Sequence, residues 1–335
     1  MSDPRPSEHG RPRVLSGIRP TGDSFQLGNY VGAVRHWRVM QDDSDCYFFV
    51  ADLHALNELP EPAKLRERSR QAVAQLLALG VDPERSTVFV QSHVPEHTEL
   101  SWVLGCLTGF GEASRMTQFK EKGGGSVGLF TYPVLQAADI LMYQADAVPI
   151  GEDQRQHLEL TRDLAQRFNA RYGPTFVLPA AYEGQAGERI KDLQDPSRKM
   201  SKSLGGSGTV WVLDEPKTIT KKIKSAVTDT GREIRVAPDK PGISNLLTIL
   251  SASSGTAVEQ LEKDFNGRGY GDLKAAVAQA VVELFAAVRA RYAELMADPA
   301  ELDRVLETGA ARAREVAVRT MSEVRERVGL LAPTT

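Results

Sequence analysis

Hydrophobic positions in the first half of the chain alternate between strand-like and helix-like spacing. Residues 14–18 form a short apolar run, a turn follows, and residues 28–40 carry apolar side chains at helical spacing. A continuous apolar run at 46–51 then ends on Asp52. A strand, a glycine-containing turn, a helix and a strand within about 40 residues predict a βαβ unit, hence a parallel sheet buried on both faces.

The same alternation continues beyond this unit. The pattern predicts helices at 62–79, 96–106, 134–143 and 152–169, and strands at 87–91 and 148–151. Asp153 is the predicted N-cap of the 152–169 helix. From 215 to 330 the pattern is helical throughout. It leaves open whether the last helix packs back onto the sheet.

These elements predict an α/β fold: a Rossmann-like parallel sheet flanked by helices, with a C-terminal all-helical domain. We expect a disordered N-terminal extension at 1–12, which is polar and proline-rich. The catalytic domain is predicted at 13–204, with a connecting insertion at about 93–147, and the helical domain at 205–335. Ligands of such sheets lie at the carboxyl ends of the strands.

The composition of the 335 residues is that of an ordinary globular enzyme, with 41% hydrophobic and 25% charged residues. A net charge of −3 excludes a global field that drives the chain onto nucleic acid or a membrane. Apolar runs stay below the length of a membrane span, so we expect a cytoplasmic protein without membrane contact. We interpret Cys46 and Cys106 as buried apolar side chains in a reducing compartment. Three tryptophans are interpreted as packing residues: Trp37, Trp102 and Trp211.

Two separate stretches have the composition of a polyphosphate site. Residues 199–203 read Lys-Met-Ser-Lys-Ser and precede a glycine-rich tether, so two mobile cations and two hydroxyls share one loop. Residues 20–29 form a glycine-containing turn that leads into a helix N-terminus, where free N–H groups favour a phosphate. Each stretch alone is more typical of a solvated turn. Their combination favours a nucleotide site.

These stretches, and others in order along the chain, resemble the class I aminoacyl-tRNA synthetases. Residues 199–203 match the Lys-Met-Ser-Lys-Ser motif of that class at all five positions, and 20–29 resemble its His-Ile-Gly-His-like turn. Further long matches lie at 16–22, 52–55, 116–120, 132–141, 148–154, 157–163 and 222–229. Together they resemble bacterial tryptophanyl-tRNA synthetases over residues 13–330.

The resemblance implies activation of L-tryptophan by ATP, with release of pyrophosphate, and transfer of the tryptophanyl group to tRNA(Trp). Lys199, Lys202 and Ser203 are the implied catalytic residues, with the lysines neutralising the leaving pyrophosphate. Mg²⁺ is expected to arrive with the ATP, and we expect no metal held by protein ligands alone. The implied ATP-binding residues are Arg19, Pro20, Thr21, Gly28, Asn29, Gly151, Glu152, Asp153, Ile190, Lys199, Met200, Ser201, Lys202 and Ser203.

A tryptophan pocket is implied around Asp139, whose carboxylate accepts the indole N–H in similar enzymes. Tyr132 and Gln154 match residues that hold the α-ammonium group. His54 matches a wall of the pocket, and Gln136 stands beside it, where methionine is frequent. Structural roles stay open for three of these residues. His54 also fits a satisfied core histidine, Asp139 a cap or ion pair of its own helix, and Gln154 a solvated helix face.

The first motif departs from the family at three points. Gln26 stands where His or Thr is usual, Arg19 stands where Gln is common, and 20–28 is one residue longer than in many relatives. Gln26 cannot become cationic as imidazole can, and Arg19 adds a permanent charge beside the implied ATP site. We hypothesise that activity survives with altered ATP affinity or altered sensitivity to tryptophan-like inhibitors, as in a specialised second copy.

Basic side chains in the helical half are candidates for contacts with tRNA phosphates, although such charges more often form solvated helix faces. They are Lys217, Lys221, Lys222, Lys224, Arg312, Arg314, Arg319, Arg325 and Arg327. The resemblance also implies a homodimer with one tRNA spanning two subunits.

Three alternatives stay open. A tyrosyl-tRNA synthetase shares the fold, although 151–154 and 157–160 favour the tryptophan branch. The others are a paralogue that forms adenylate without charging tRNA, and a small-molecule nucleotidyltransferase on a related sheet.

Overall fold

The computed structural model describes residues 10–116, 125–151, 154–182, 190–200 and 206–331. Five parallel strands form one sheet in the order β3-β2-β1-β4-β5. They are β1 (Arg13–Ile18), β2 (Asp45–Val50), β3 (Ser86–Val90), β4 (Ala147–Val148) and β5 (Ala180–Ala181). The predicted α/β fold with a parallel sheet flanked by helices is therefore confirmed.

Helices cover both faces of this sheet and make up the second half of the chain. The first, α1, consists of Leu27–Asn29, a π-helical segment Tyr30–Val34, and Arg35–Met40. The others are α2 (Asp52–Ala55), α3 (Pro62–Ala78), α4 (Glu96–Gly105), α5 (Phe110–Ser114), α6 (Val127–Met142), α7 (Arg155–Tyr172), α8 (Pro216–Lys224), α9 (Pro241–Ser254), α10 (Val258–Asp264), α11 (Tyr270–Ala297) and α12 (Pro299–Val328).

Two predicted bounds are wrong for identifiable reasons. Helix α6 begins at Val127, well before residue 134, because the Ser126 hydroxyl accepts a hydrogen bond from the Leu129 N–H and caps the helix. Strand β4 ends at Val148, since Pro149 has no N–H for the ladder. Helix α7 spans Arg155–Tyr172, and the residues predicted as its first residue and its cap, Glu152 and Asp153, lie outside the described residues.

Successive strand side chains face two separate hydrophobic cores, as expected of a sheet buried on both faces. Phe48 belongs to the first core, where it stacks on Trp37 of α1 at a ring distance of 4.5 Å. Phe49 belongs to the second core, with side chains of α4, α6 and α7. The first core also contains buried side chains of α3, α8, α9 and α11, so the helical half continues the packing of the sheet.

Helix α12 packs back onto the sheet, which the sequence pattern left open. Its early residues Leu302 and Leu306 belong to the first core, whereas Ala313 and the buried residues after it belong to the second. Between them, Gly309 lies directly against the backbone of β3, one of the two edge strands of the described sheet. The helix therefore covers an edge that would otherwise be open to pairing with another chain.

Two predicted burials are wrong, both on or beside α4. Cys106 is exposed, and Trp102 is 76% exposed, whereas Cys46 and Trp37 are buried as expected. Burial raises the pKa of Cys46 to about 12, so its thiol stays protonated and unreactive. In the parts of the chain that the structure describes, no helix is long and apolar enough to cross a membrane.

Candidate active site

A cavity of about 280 Å³ opens at the carboxyl ends of the strands, between β1 and β4. Since β2 and β3 lie on one side of β1, and β4 and β5 on the other, this is the point where the strand order reverses. Open parallel sheets bind their ligands at such a point. Six of the predicted site residues line the cavity: Arg19, His54, Tyr132, Gln136, Asp139 and Gln154.

Apolar side chains form much of the remaining wall. Leu15 and Phe49 come from β1 and β2, and Leu129 and Ile140 come from α6. Phe49 lies across its register partner Gly17, where an added Cβ would lie 2.5 Å from the ring. A cavity in which apolar side chains lie beside fixed polar groups suits a ligand with an apolar body and polar ends.

Asp139 is the most constrained polar group of the cavity and is only 1% exposed. Its Oδ2 lies 2.8 Å from Nε2 of His54, and its Oδ1 lies 2.6 Å from Nδ1 of His97 and 2.7 Å from Nε2 of Gln91. Burial alone raises the pKa of Asp139, but hydrogen bonds and attraction from His54 and His97 hold it below its usual range. The carboxylate is therefore ionised and accepts from three donors.

His97, Gln91 and Tyr143 are site residues that sequence reasoning missed. The Tyr143 hydroxyl lies 2.7 Å from Nε2 of His97. Burial raises the pKa of Tyr143, and the Asp139 charge raises it further, so the phenol keeps its proton. Gln91 directly follows β3, a position where the sheet places ligand-side groups, and that position was the available signal.

A second polar network lies on the α6–α7 side of the cavity. The Tyr132 hydroxyl is 2.8 Å from Nε2 of His157, and Nδ1 of His157 is 2.8 Å from Oε1 of Gln154. Gln136 donates through Nε2 to the same Gln154 oxygen at 3.3 Å. The network fixes the orientation of three predicted site residues. His157 was not predicted as a site residue.

The first motif forms the N-terminus of α1. Oδ1 of Asn29 accepts the backbone N–H of Gln26 at 3.2 Å, which stabilises the first turn. Gln26 is buried, and its Oε1 has no hydrogen-bond partner among the described residues. Pro20 and Thr21 belong to the turn after β1, and Arg19 lies at the mouth of the cavity with Nη1 3.4 Å from Oε1 of Glu58.

The segments before and after residues 201–205 of the second motif both lie against the first motif, residues 20–29. A Cβ added at Gly28 would lie 3.8 Å from Cβ of Met200 and 3.9 Å from Cβ of Ile190. Downstream of the loop, the Leu27 N–H donates to the Val210 carbonyl at 2.8 Å. Lys199 is exposed beside Met200. Five predicted site residues lie outside the described residues: Glu152, Asp153, Ser201, Lys202 and Ser203.

The basic residues of the helical half differ in their surroundings. On α8, Lys222 pairs with Asp214 at 2.7 Å, whereas Lys217, Lys221 and Lys224 are exposed along an open groove against α11. Four arginines of α12 pair with acidic side chains: Arg314 with Glu96, Arg325 with Glu99, Arg319 with Glu315, and Arg327 with Glu323. Arg312 donates to the Pro83 carbonyl. Arg312, Arg314 and Arg325 thus connect α12 to the rest of the fold, whereas the pairs of Arg319 and Arg327 stay within the helix.

Comparisons with known proteins agree on one family. The protein-family model described as "tRNA synthetases class I (W and Y)" matches residues 7–286. Tryptophan–tRNA ligase 2 of Streptomyces avermitilis is 57% identical over 329 residues, which is 96% of this chain and 98% of that protein. The crystal structure of tryptophanyl-tRNA synthetase from Mycoplasma pneumoniae is similar, with a TM-score of 0.88 at 35% identity, over 96% of this chain and 98% of that one. The Campylobacter jejuni enzyme complexed with ADP and tryptophan has a TM-score of 0.82 at 35% identity, over 95% and 100% of the two chains.

Proposed function

This chain belongs to the class I tRNA synthetases of the tryptophan and tyrosine family, and we infer that it is a tryptophan–tRNA ligase. It activates L-tryptophan with ATP to tryptophanyl-adenylate and pyrophosphate, then transfers tryptophan to the 3′ end of tRNA(Trp). The observation that best supports this substrate is Asp139, an ionised and buried carboxylate in the wall of a cavity that combines apolar and polar side chains.

Asp139 has the capacity to accept the indole N–H. A carboxylate has about four acceptor positions, and three are used by His54, His97 and Gln91. A substrate with an N–H donor forms a hydrogen bond at the remaining position, whereas a substrate without one leaves a buried acceptor unsatisfied. Oxygen atoms of Tyr132 and Gln154 suit the α-ammonium group.

Activation requires positioning and charge stabilisation rather than a covalent nucleophile. The tryptophan carboxylate attacks the α-phosphorus of Mg-ATP, and Lys199 and Lys202 neutralise the pyrophosphate that leaves. The contact of Gly28 with Met200 supports this pairing, since it brings the two motifs within a few ångströms. We propose that Thr21, Asn29, Gly151 and Ile190 contribute to ATP binding, and that Ser203 assists the lysines.

Amino-acid-dependent ATP–pyrophosphate exchange over the twenty amino acids tests the assignment. We expect exchange with tryptophan and a loss of about tenfold or more in Asp139→Asn, because an amide accepts fewer of the three existing hydrogen bonds. Exchange that is equal with tyrosine would refute tryptophan specificity. Exchange without charging of a tRNA(Trp) transcript would instead identify a paralogue that does not use tRNA.

The exposed lysines of α8 are the proposed phosphate contacts for tRNA. Lys217→Ala and Lys221→Ala should raise the KM for tRNA and weaken its salt dependence, with exchange unchanged. Lys222→Ala is the matched control, because its ammonium is already paired with Asp214. Equal effects of all three variants on the salt dependence would exclude this surface.

The reaction takes place in the cytoplasm, where ATP and tRNA are available.

A homodimer is supported by an apolar surface on three neighbouring helices of the insertion. Trp102 of α4, Phe110 of α5 and Val127 of α6 are each more than three-quarters exposed, and Phe110 lies 5.1 Å from the Phe130 ring of α6. Such apolar exposure marks an interaction site. Light scattering should find a dimer that Trp102→Glu dissociates, whereas Val39→Glu on α1 leaves it intact. A monomeric wild type at micromolar concentration would refute the dimer.

A further inference from the structure

We propose that His97 is a positioning residue for substrate recognition, which holds the Asp139 carboxylate from the side opposite the cavity so that Oδ2 faces the substrate. The proposal rests on the inferred role of Asp139 as acceptor of the indole N–H. It adds a residue that does not itself line the described wall of the cavity.

The two oxygens of Asp139 have different surroundings. Oδ1 accepts from His97 at 2.6 Å and from Gln91 at 2.7 Å, and neither residue lines the cavity. Oδ2 accepts from His54 at 2.8 Å, and His54 does line it. Since each carboxylate oxygen has about two acceptor positions, Oδ1 is saturated and Oδ2 retains one. The remaining position therefore belongs to the oxygen on the cavity side.

The orientation of His97 is fixed by its own contacts. The ring is fully buried, with Phe49 and Phe89 each at a ring distance of 6.2 Å. An ionised carboxylate only accepts, so Nδ1 of His97 donates to Asp139. The opposite ring nitrogen, Nε2, lies 2.7 Å from the Tyr143 hydroxyl, which can donate or accept there. Tyr143 thus holds the ring in the orientation that keeps the Nδ1 donor on Oδ1.

Gln91 shows how strongly the fold favours donors at Oδ1. Its amide nitrogen points at Asp139, and its Oε1 is left buried with no partner among the described residues. An unsatisfied buried oxygen is destabilising by itself. The amide keeps this orientation because turning it would place two acceptors, its own oxygen and Oδ1, against each other.

The test uses two variants and two substrates. Asn places an amide nitrogen near the position of Nδ1, so His97→Asn keeps a donor to Asp139. Gln places its nitrogen near Nε2, so His97→Gln loses that donor at similar polarity. The substrates are L-tryptophan and 3-(benzothiophen-3-yl)alanine, in which sulfur replaces the N–H. The readout is the ratio of their kcat/KM values in ATP–pyrophosphate exchange.

We expect the wild-type ratio to favour tryptophan by about tenfold or more, His97→Gln to reduce it by about tenfold, and His97→Asn to retain most of it. No wild-type preference would refute the role of Asp139 itself. If the wild type prefers tryptophan and His97→Gln leaves that preference unchanged, even with both substrates reacting more slowly, the positioning role of His97 is refuted and the role of Asp139 is not. If His97→Gln does not fold, Tyr143→Phe replaces it, and an unchanged ratio there would equally refute the proposal.

Discussion

Replacing Gly309 by alanine tests how α12 is seated on the sheet. The added Cβ would lie 1.7 Å from the Val88 carbonyl oxygen and 2.7 Å from the Val88 carbonyl carbon, whereas ordinary contact begins at 3.4 Å. The opposing atoms are strand backbone, so no side chain can turn away. The helix must therefore retreat from β3 by more than an ångström, or the strand must bend.

The expected loss follows from the packing on either side of Gly309. A radial gap of about 1 Å removes up to about half of the dispersion attraction between facing atoms. Leu306, Ala313 and Val316 are the nearest buried side chains of α12. With overpacking strain of about 1–3 kcal/mol added, we expect Gly309→Ala to lower the free energy of unfolding by about 3 kcal/mol.

Urea unfolding followed by circular dichroism measures this effect. Gly271→Ala is the matched control, because Gly271 is an exposed residue of α11 and no atom of the described parts of the chain lies within 4 Å of an added Cβ. The control should be neutral or stabilising by up to about 1 kcal/mol. If the unfolding midpoints of the two variants coincide, α12 does not lie against the backbone of β3 at Gly309.

Two further predictions concern acid stability and the first motif. Hydrogen bonds from the Arg167 guanidinium lower the pKa of Glu112 to about 2. The stability that this carboxylate contributes is therefore present above its ordinary pKa of about 4.3, and it is lost as the pH falls from there towards 2. Unfolding at pH 5 and pH 3 should show a smaller difference in Glu112→Gln than in wild type, and an equal difference would exclude this pair as a source of the pH dependence. Gln26→His and Arg19→Gln should each change the KM for ATP or inhibition by tryptophan-like inhibitors, because they alter the polarity and charge at the first motif and the cavity mouth. Unchanged kinetics in both variants would discard the idea of a specialised copy.

The alternation of hydrophobic spacing was sufficient to predict the fold class, since parallel strands buried on both faces require nearly continuous apolar runs. It did not predict β5, because Ala180 and Ala181 have weak β-propensity. The strand pairs with β4 through two backbone hydrogen bonds, from the Ala180 N–H to the Asp146 carbonyl and from the Tyr182 N–H to the Val148 carbonyl. Nor did the alternation predict that Trp102 is exposed, because residue type reports the average burial of a side chain rather than the direction in which its helix face points.

The candidate site likewise contains residues that the sequence predicted and residues that it did not. The predicted substrate-binding residues occur in ordered stretches of the sequence, and six of them lie around one cavity. The side chains that hold Asp139 carry no comparable signal. His97 is on α4 and Tyr143 directly follows α6, and only the packing of these two helices brings them together. Such support depends on tertiary distances, which hydrophobic periodicity does not contain.

The position of α12 also bears on the order in which the protein can mature during synthesis. The five described strands leave the ribosome before the segment that shields the β3 edge of the sheet has been translated. The nascent sheet must therefore wait, with its border unprotected, for more than a hundred further residues to be added. Chains interrupted in that interval are the ones we expect chaperones and proteases to encounter.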